Sequence, residues 1–185
     1  MRLSENWLRE WVNPPATATE LAHKLNMAGL EAEAEPMLAV LPQGIVVGKI
    51  LSTTPHPQAD RLRVCEVDAG TGEILQIVCG AANARPGILI PAALPGAVLP
   101  NGTQSGKAAL RGVESSGMLC SASELGLAEK SEGLLELDLT AKPGTPIEKH
   151  LGLVDNTIVL ELTPNRGDCL SIAGLARETA ALYGI

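Results

Sequence analysis

The sequence predicts an α+β protein of two domains, with a small closed β-barrel inserted into a discontinuous helix-plus-two-strand domain. Three observations carry this. Helical periodicity is confined to the ends of the 185-residue chain. From 42 to 149 it vanishes, and short apolar runs recur between Gly, Pro, Asn and Asp. Each end supplies one strand and one or two helices, too little apolar surface to fold alone, so the two ends must close over a shared core. The predicted domains are 1–39 with 150–185, and 40–149.

Residues 4–12 read as a helix. Ser4 caps it, Glu5 suits its first turn, and Pro14-Pro15 ends it. Trp7, Leu8, Trp11 and Val12 fall on one face at helical spacing, which predicts core packing. A second helix begins after Thr17, where Thr17 and Glu20 form a capping box and Gly29 marks the stop. Leu-Glu-Ala-Glu-Ala-Glu at 30–35 alternates with period two, the pattern of a half-buried strand with an acidic outer face. Thr157–Thr163 is the matching strand at the other end, and pairing of the two closes the end domain. Pro164-Asn165-Arg166-Gly167 then turns the chain. A helix over 169–183 is predicted, capped by Asp168, with Leu170, Ala173, Leu175, Ala176 and Ala180 inward and Gly184 at its end.

The middle region reads as strands near 44–52, 61–68, 73–79, 88–93, 107–111, 117–120 and 133–137. Turns fall at Gly70-Thr71-Gly72, Arg85-Pro86-Gly87 and Pro100-Asn101-Gly102. Five principal strands with extra edge strands make an OB-fold.

Composition narrows the function. Net charge is −7, unfavourable for a nucleic-acid binder. Its distribution is uneven, because residues 49–111 hold six basic groups against four acids, and 112–149 hold three against seven. The only aromatics are Trp7, Trp11 and Tyr183, so the barrel has no platform on which to stack bases. Any RNA contact must use shape and backbone charge. No apolar run is long enough to span a bilayer. The four cysteines lie far apart without a Cys-x-x-Cys, which argues against zinc and fits a reducing cytoplasm.

Catalytic patterns are missing from the sequence. Gly102-x-x-x-Gly106-Lys107 has the wrong spacing for a phosphate loop, and no Ser or Cys stands in a nucleophile elbow. His56 and Asp60, four apart, invite an acid–base reading, but Pro55 and Pro57 fix the backbone around His56 and favour a structural turn. Glu31, Glu33 and Glu35 spread along a strand edge as solvated charges do. Arg166 can reach a phosphate or a neighbouring carboxylate, or simply belong to a turn. The expected catalytic, cofactor and metal residues are therefore none.

Several separated blocks bear a resemblance. His56–Asp68 (HPQADRLRVCEVD) and Gly106–Leu127 (GKAALRGVESSGMLCSASELGL) together resemble the OB-type tRNA-binding domain shared by several tRNA ligases and free-standing tRNA-binding proteins. The start, MRLSENWLREWVNP, with AHKLNMAGLEAE and the end LELTPNRGDCLSIAGLARETAAL, resembles the N-terminal part of the bacterial phenylalanine–tRNA ligase β-subunit family. The resemblance implies ATP-dependent charging of a tRNA with phenylalanine, with ATP and magnesium used by the parent enzyme and held elsewhere. It implies as partners tRNA, the α subunit and the rest of the β subunit, in an assembly of two α and two β chains, with neither membrane nor DNA. The chain is expected to be an excerpt that is inactive alone. Arg61, Arg63, Arg85, Lys107 and Arg111 are the candidate tRNA contacts. Arg61 and Arg63 share a strand face, and Lys107 and Arg111 share a parity on strand 107–111. The alternatives are salt bridges to Glu66, Glu73 and Glu114, a non-catalytic scaffold, or a free-standing tRNA-binding protein.

Overall fold

The computed structural model describes residues 1–38 and 42–185. In chain order its elements are β1 (Arg2–Ser4), α1 (Glu5–Trp11), α2 (Ala18–Met27), β2 (Glu31–Pro36), β3 (Gln43–His56), β4 (Ala59–Asp68), β5 (Ile74–Cys79), β6 (Leu89–Val98), β7 (Lys107–Leu110), β8 (Val113–Ser116), β9 (Met118–Leu119), α3 (Ile147–His150), β10 (Asn156–Glu161), a 3-10 turn (Pro164–Cys169) and α4 (Ile172–Tyr183). They form two compact units, Met1–Ala39 with Val154–Ile185, and Val40–Leu153. The junction expected at 39/40 lies outside the described residues.

In the first unit β10 is the central strand, antiparallel to β1 on one side and β2 on the other. Ile158 lies between Leu3 and Ala34, and Leu160 opposes Ala32. This face packs on Leu8, Leu21, Leu25, Leu30 and Leu175. The other face carries Glu31, Glu33 and Glu35, as the alternation requires, and Arg2 bonds Glu35 at 2.8 Å. Strand β1 escapes sequence reading because three residues are too few to show a period.

Both early helices begin as their caps dictate. Ser4 Oγ accepts from the Trp7 N–H, and Thr17 and Glu20 form the reciprocal capping box. The tryptophans correct the sequence reading, since Trp7 is 49% and Trp11 58% exposed. Helix α1 has two turns, and its buried line is Glu5 and Leu8. Glu5 is held by Arg9 at 2.7 Å and by the Asn156 amide at 2.7 Å. Satisfying that carboxylate rolls the helix toward β10 and turns both indoles outward.

The last helix also departs from expectation. It starts at Ile172, where Ser171 Oγ accepts from the Gly174 N–H, not at 169 behind Asp168. Asp168 is already engaged by Arg166 and the Cys169 thiol. The residues before the helix wind as a 3-10 turn, and Leu170 is 64% exposed instead of buried.

The second unit is an OB-type barrel. Its main sheet has the order β5-β4-β3-β6-β9, all antiparallel, with β7–β8 as a separate hairpin. Strand β3 is long enough to pair with β4 along one edge and β6 along the other, and it is bulged at Leu51. Bulges re-aim a strand and increase its twist, which helps a short sheet to curl. One core holds Ile50, Cys65, Val67, Ile77, Ile90 and Leu119. The other holds Ile45, Val47, Leu99, Cys120, Leu125 and Ile147. The expected strand 133–137 is not one. Single bonds hold that segment instead, from the Leu135 N–H to the Cys120 carbonyl (3.1 Å) and from the Leu137 N–H to the Leu89 carbonyl (2.8 Å). The barrel unit runs to Leu153, past the expected 149, because Ile147 and Leu151 complete its core.

Gly174 sits where α4 meets the 3-10 turn, and a Cβ there would lie 1.8 Å from the Asp168 carbonyl oxygen. Gly174→Ala is therefore expected to cost about 1–3 kcal/mol, the usual range for overpacking, read as a fall in the urea midpoint of unfolding. An unchanged midpoint would refute the close approach.

Candidate nucleic-acid interface

Two hairpin tips meet at one end of the barrel. The β3–β4 hairpin contributes His56, the last residue of β3, and the connecting Pro57 and Gln58. The β7–β8 connection is the two-residue turn Arg111-Gly112, closed by the Leu110–Val113 pair. Both turn residues have positive φ, +48° and +81°, the signature of a type I′ turn. Arg111 thus lies off the end of β7, so the expected parity with Lys107 fails. The physical cause is Gly112, which accepts the second left-handed position and lets the chain reverse one residue early.

His56 is 5% exposed. Its Nδ1 accepts from the Gln58 N–H at 3.0 Å, and its Nε2 lies 3.0 Å from the Leu110 carbonyl oxygen. Arg111 Nη1 donates to the Gln58 carbonyl at 3.2 Å. These contacts bring Arg111 beside β4, where Ala59, Asp60, Arg61, Leu62 and Arg111 line a cleft of about 330 Å³. Two guanidinium-bearing residues 50 positions apart in sequence so share one concavity with a single acid, Asp60.

Strand β8 is tied separately. The Val78 N–H donates to the buried Ser115 Oγ at 3.0 Å, and the Gln76 amide donates to the Glu114 carbonyl at 2.7 Å. The first satisfies a backbone group on the free edge of β5, which an open sheet would leave bare, and the second ties β8 to a β5 side chain.

The remaining candidate cations are placed differently. Lys107 is exposed on β7 and lines a second cleft of about 310 Å³ with Glu114 and Ser116. Arg63 is exposed on β4, opposite Cys79 in the ladder. Arg85 is clamped by Glu136, with both guanidinium nitrogens at 2.7 Å from its carboxylate oxygens. That pairing raises Arg85 and, with the Asn83 amide, lowers Glu136 from their ordinary values. Arg85 is therefore neutralised by a partner that sequence spacing does not reveal. Among the described residues Arg61, Arg63, Lys107 and Arg111 form no ion pair, and the expected alternative bridges to Glu66, Glu73 and Glu114 are not made.

Arg166 lies inward, not outward. It bonds Asp168 at 3.3 Å and Glu178 at 2.9 Å. Asp168, Cys169 and Glu178 are close enough to bracket a cation, and the guanidinium is that cation. Its hydrogen bond to Asp168 raises Arg166 and lowers Asp168.

The barrel matches the model of the family described as "Putative tRNA binding domain" over residues 45–146. The chain belongs to that family. It is also similar, over essentially its whole length, to proteins named phenylalanine–tRNA ligase beta subunit. It is 55% identical over 184 residues to the protein of Bordetella parapertussis, covering 100% of this chain and 23% of the relative. Against Pseudomonas putida the identity is 57% over 183 residues, covering 99% and 23%. Against Methylococcus capsulatus it is 55% over 183 residues, covering 98% and 23%. The chain thus spans about a quarter of the length of the curated relatives it matches. Both unit cores, and not the barrel alone, fall within these matches.

In this member of the family the barrel's cysteines are packing groups. Burial pushes the Cys120 thiol up to about 12 and the Cys65 thiol up to about 11, and it also raises Cys79. A raised thiol stays protonated and unreactive at neutral pH. A thiol-reactive disulfide reagent at pH 8 is expected to leave all three unlabelled in the native chain and to label them in urea. Rapid native labelling of Cys120 would contradict its placement.

Proposed function

We propose that this chain is part of the β subunit of a phenylalanine–tRNA ligase, and that its barrel is an auxiliary tRNA-contacting module. The full-length similarity to β subunits carries the proposal. The family match over the barrel and the unpaired cations at its hairpin tips support it. In this reading the whole enzyme charges tRNA with phenylalanine using ATP and magnesium, works in the cytoplasm, and contains two α and two β chains. The catalytic, ATP and metal sites lie in other parts of it. The discontinuous domain, Met1–Ala39 with Val154–Ile185, serves as the frame that carries the Val40–Leu153 barrel.

The work of this chain's residues is binding. Arg61 and Arg111 are free to take a backbone phosphate in their shared cleft, where a planar guanidinium suits phosphate oxygens. Lys107 and Arg63 lie on exposed strand positions and extend the contact along the backbone. Arg85 contributes least, because Glu136 holds it. The barrel carries no aromatic side chain, so the contact reads charge and shape and leaves the bases unstacked. The net charge of −7 favours a second reading, a scaffold that does not touch RNA.

Titration of the chain with tRNA across a range of salt concentrations separates the two. Each phosphate contact steepens the fall of log affinity with log salt by roughly 0.7–0.9. Arg61→Ala and Arg111→Ala are each expected to lower the slope by about one contact, and Arg85→Ala to leave it unchanged. Absent or salt-independent binding would demote the barrel to scaffolding.

A further inference from the structure

We infer that His56 is a positioning residue for the tRNA contact. Its imidazole latches the β7–β8 turn onto the β3–β4 turn and so holds Arg111 beside Arg61. This rests on the proposed tRNA-contacting role of the barrel.

The geometry fixes the chemistry of the latch. His56 Nδ1 accepts the Gln58 N–H, so the ring proton resides on Nε2. Nε2 then donates to the Leu110 carbonyl, the last one before the turn. Gln58 completes the clasp, its N–H bound to His56 and its carbonyl to Arg111. Pro57 lies between them and pre-sets the chain direction without needing a partner for an N–H of its own. The turn is gripped on its entering strand by the imidazole and at its first corner by the Gln58 carbonyl.

The hairpin needs that grip. Every residue of β7 is exposed, and an isolated two-stranded hairpin is marginal in water. Strand β8 is anchored to β5 at Glu114 and Ser115, and the turn itself is held by His56 and by the Gln58 carbonyl. Arg111 is also the one non-glycine described residue with positive φ. An L side chain holds that conformation only where its surroundings over-determine it. When the Leu110 bond is lost, the turn is free to relax, and the Arg111 guanidinium leaves the cleft it shares with Arg61.

Two conservative variants separate the two nitrogens. His56→Asn places an acceptor near Nδ1 and keeps the Gln58 bond but cannot reach Leu110. His56→Gln places an N–H near Nε2 and keeps the latch. His56→Asn is expected to weaken tRNA binding and flatten its salt slope as much as Arg111→Ala does, and the two changes combined should cost no more than one. His56→Gln should stay near wild type. Native-state hydrogen exchange reads the latch without RNA. The Val113 amide, in the pair that closes the turn, should exchange faster in His56→Asn and at the wild-type rate in His56→Gln. Unchanged exchange in a folded His56→Asn chain overturns the latch. Faster exchange with an unchanged salt slope, or additive losses with Arg111→Ala, overturns the positioning role. If the wild-type chain binds no tRNA, the positioning role falls with the tRNA reading, and the exchange result still decides the latch. A His56→Asn chain that does not fold throws the decision onto His56→Gln, in which a lost slope or faster tip exchange overturns the inference.

Discussion

The antiparallel pairing of β2 with β10 is the constraint from which the rest follows. The ladder runs from Glu31–Glu161 to Pro36–Asn156 and joins strands separated by the entire barrel sequence. Loop-closure cost grows only slowly with loop length, so one ladder can tether a long insertion. Without the ladder, β2 has nowhere to bury Ala32 and Ala34, and the apolar stripes of α2 and α4 face water. With it, Leu3, Ile158, Leu160, Leu21 and Leu175 form one dry cluster. Each fully buried aliphatic side chain contributes about 1.5–3 kcal/mol relative to exposure. Asp155 fastens the assembly beside the Pro36–Asn156 rung, accepting from Ser4 Oγ and from the Asn6 N–H.

Pairing within the barrel follows the same economy on a smaller scale. The sheet is made by short antiparallel connections, and its spare edge at β5 is covered by a hairpin held through two side chains. That hairpin is also the element that carries Arg111. The polar groups that quiet an exposed sheet edge thereby deliver a cation to the cleft of Arg61. The barrel lacks aromatics, so the positions of its unpaired cations decide what it can hold.

Local signals were legible in the sequence. The Ser4 cap, the Thr17–Glu20 capping box and the acidic alternation of β2 all depend on residues a few positions apart, and all appear where their spacing puts them. What escaped depends on distant partners. Trp7 and Trp11 sit on an apolar face by periodicity, yet the buried Glu5 and its bonds to Arg9 and Asn156 set the roll of α1. Asp168 reads as a cap until Arg166 takes its carboxylate, and Ser171 caps α4 in its place. Arg85 reads as a free cation until Glu136 is folded against it. The link from His56 to Leu110 spans 54 positions and has only the flanking prolines as a local sign.

The most direct test of the shared core is hydrogen exchange on an Ile158→Ala chain, where loss of a fully buried aliphatic is expected to cost about 2–5 kcal/mol. If the two ends form one cooperative unit, amides of β2 and of β10 lose protection together and by the same amount, while β3–β6 keep theirs. Protection surviving in β2 while it falls in β10 would contradict the account.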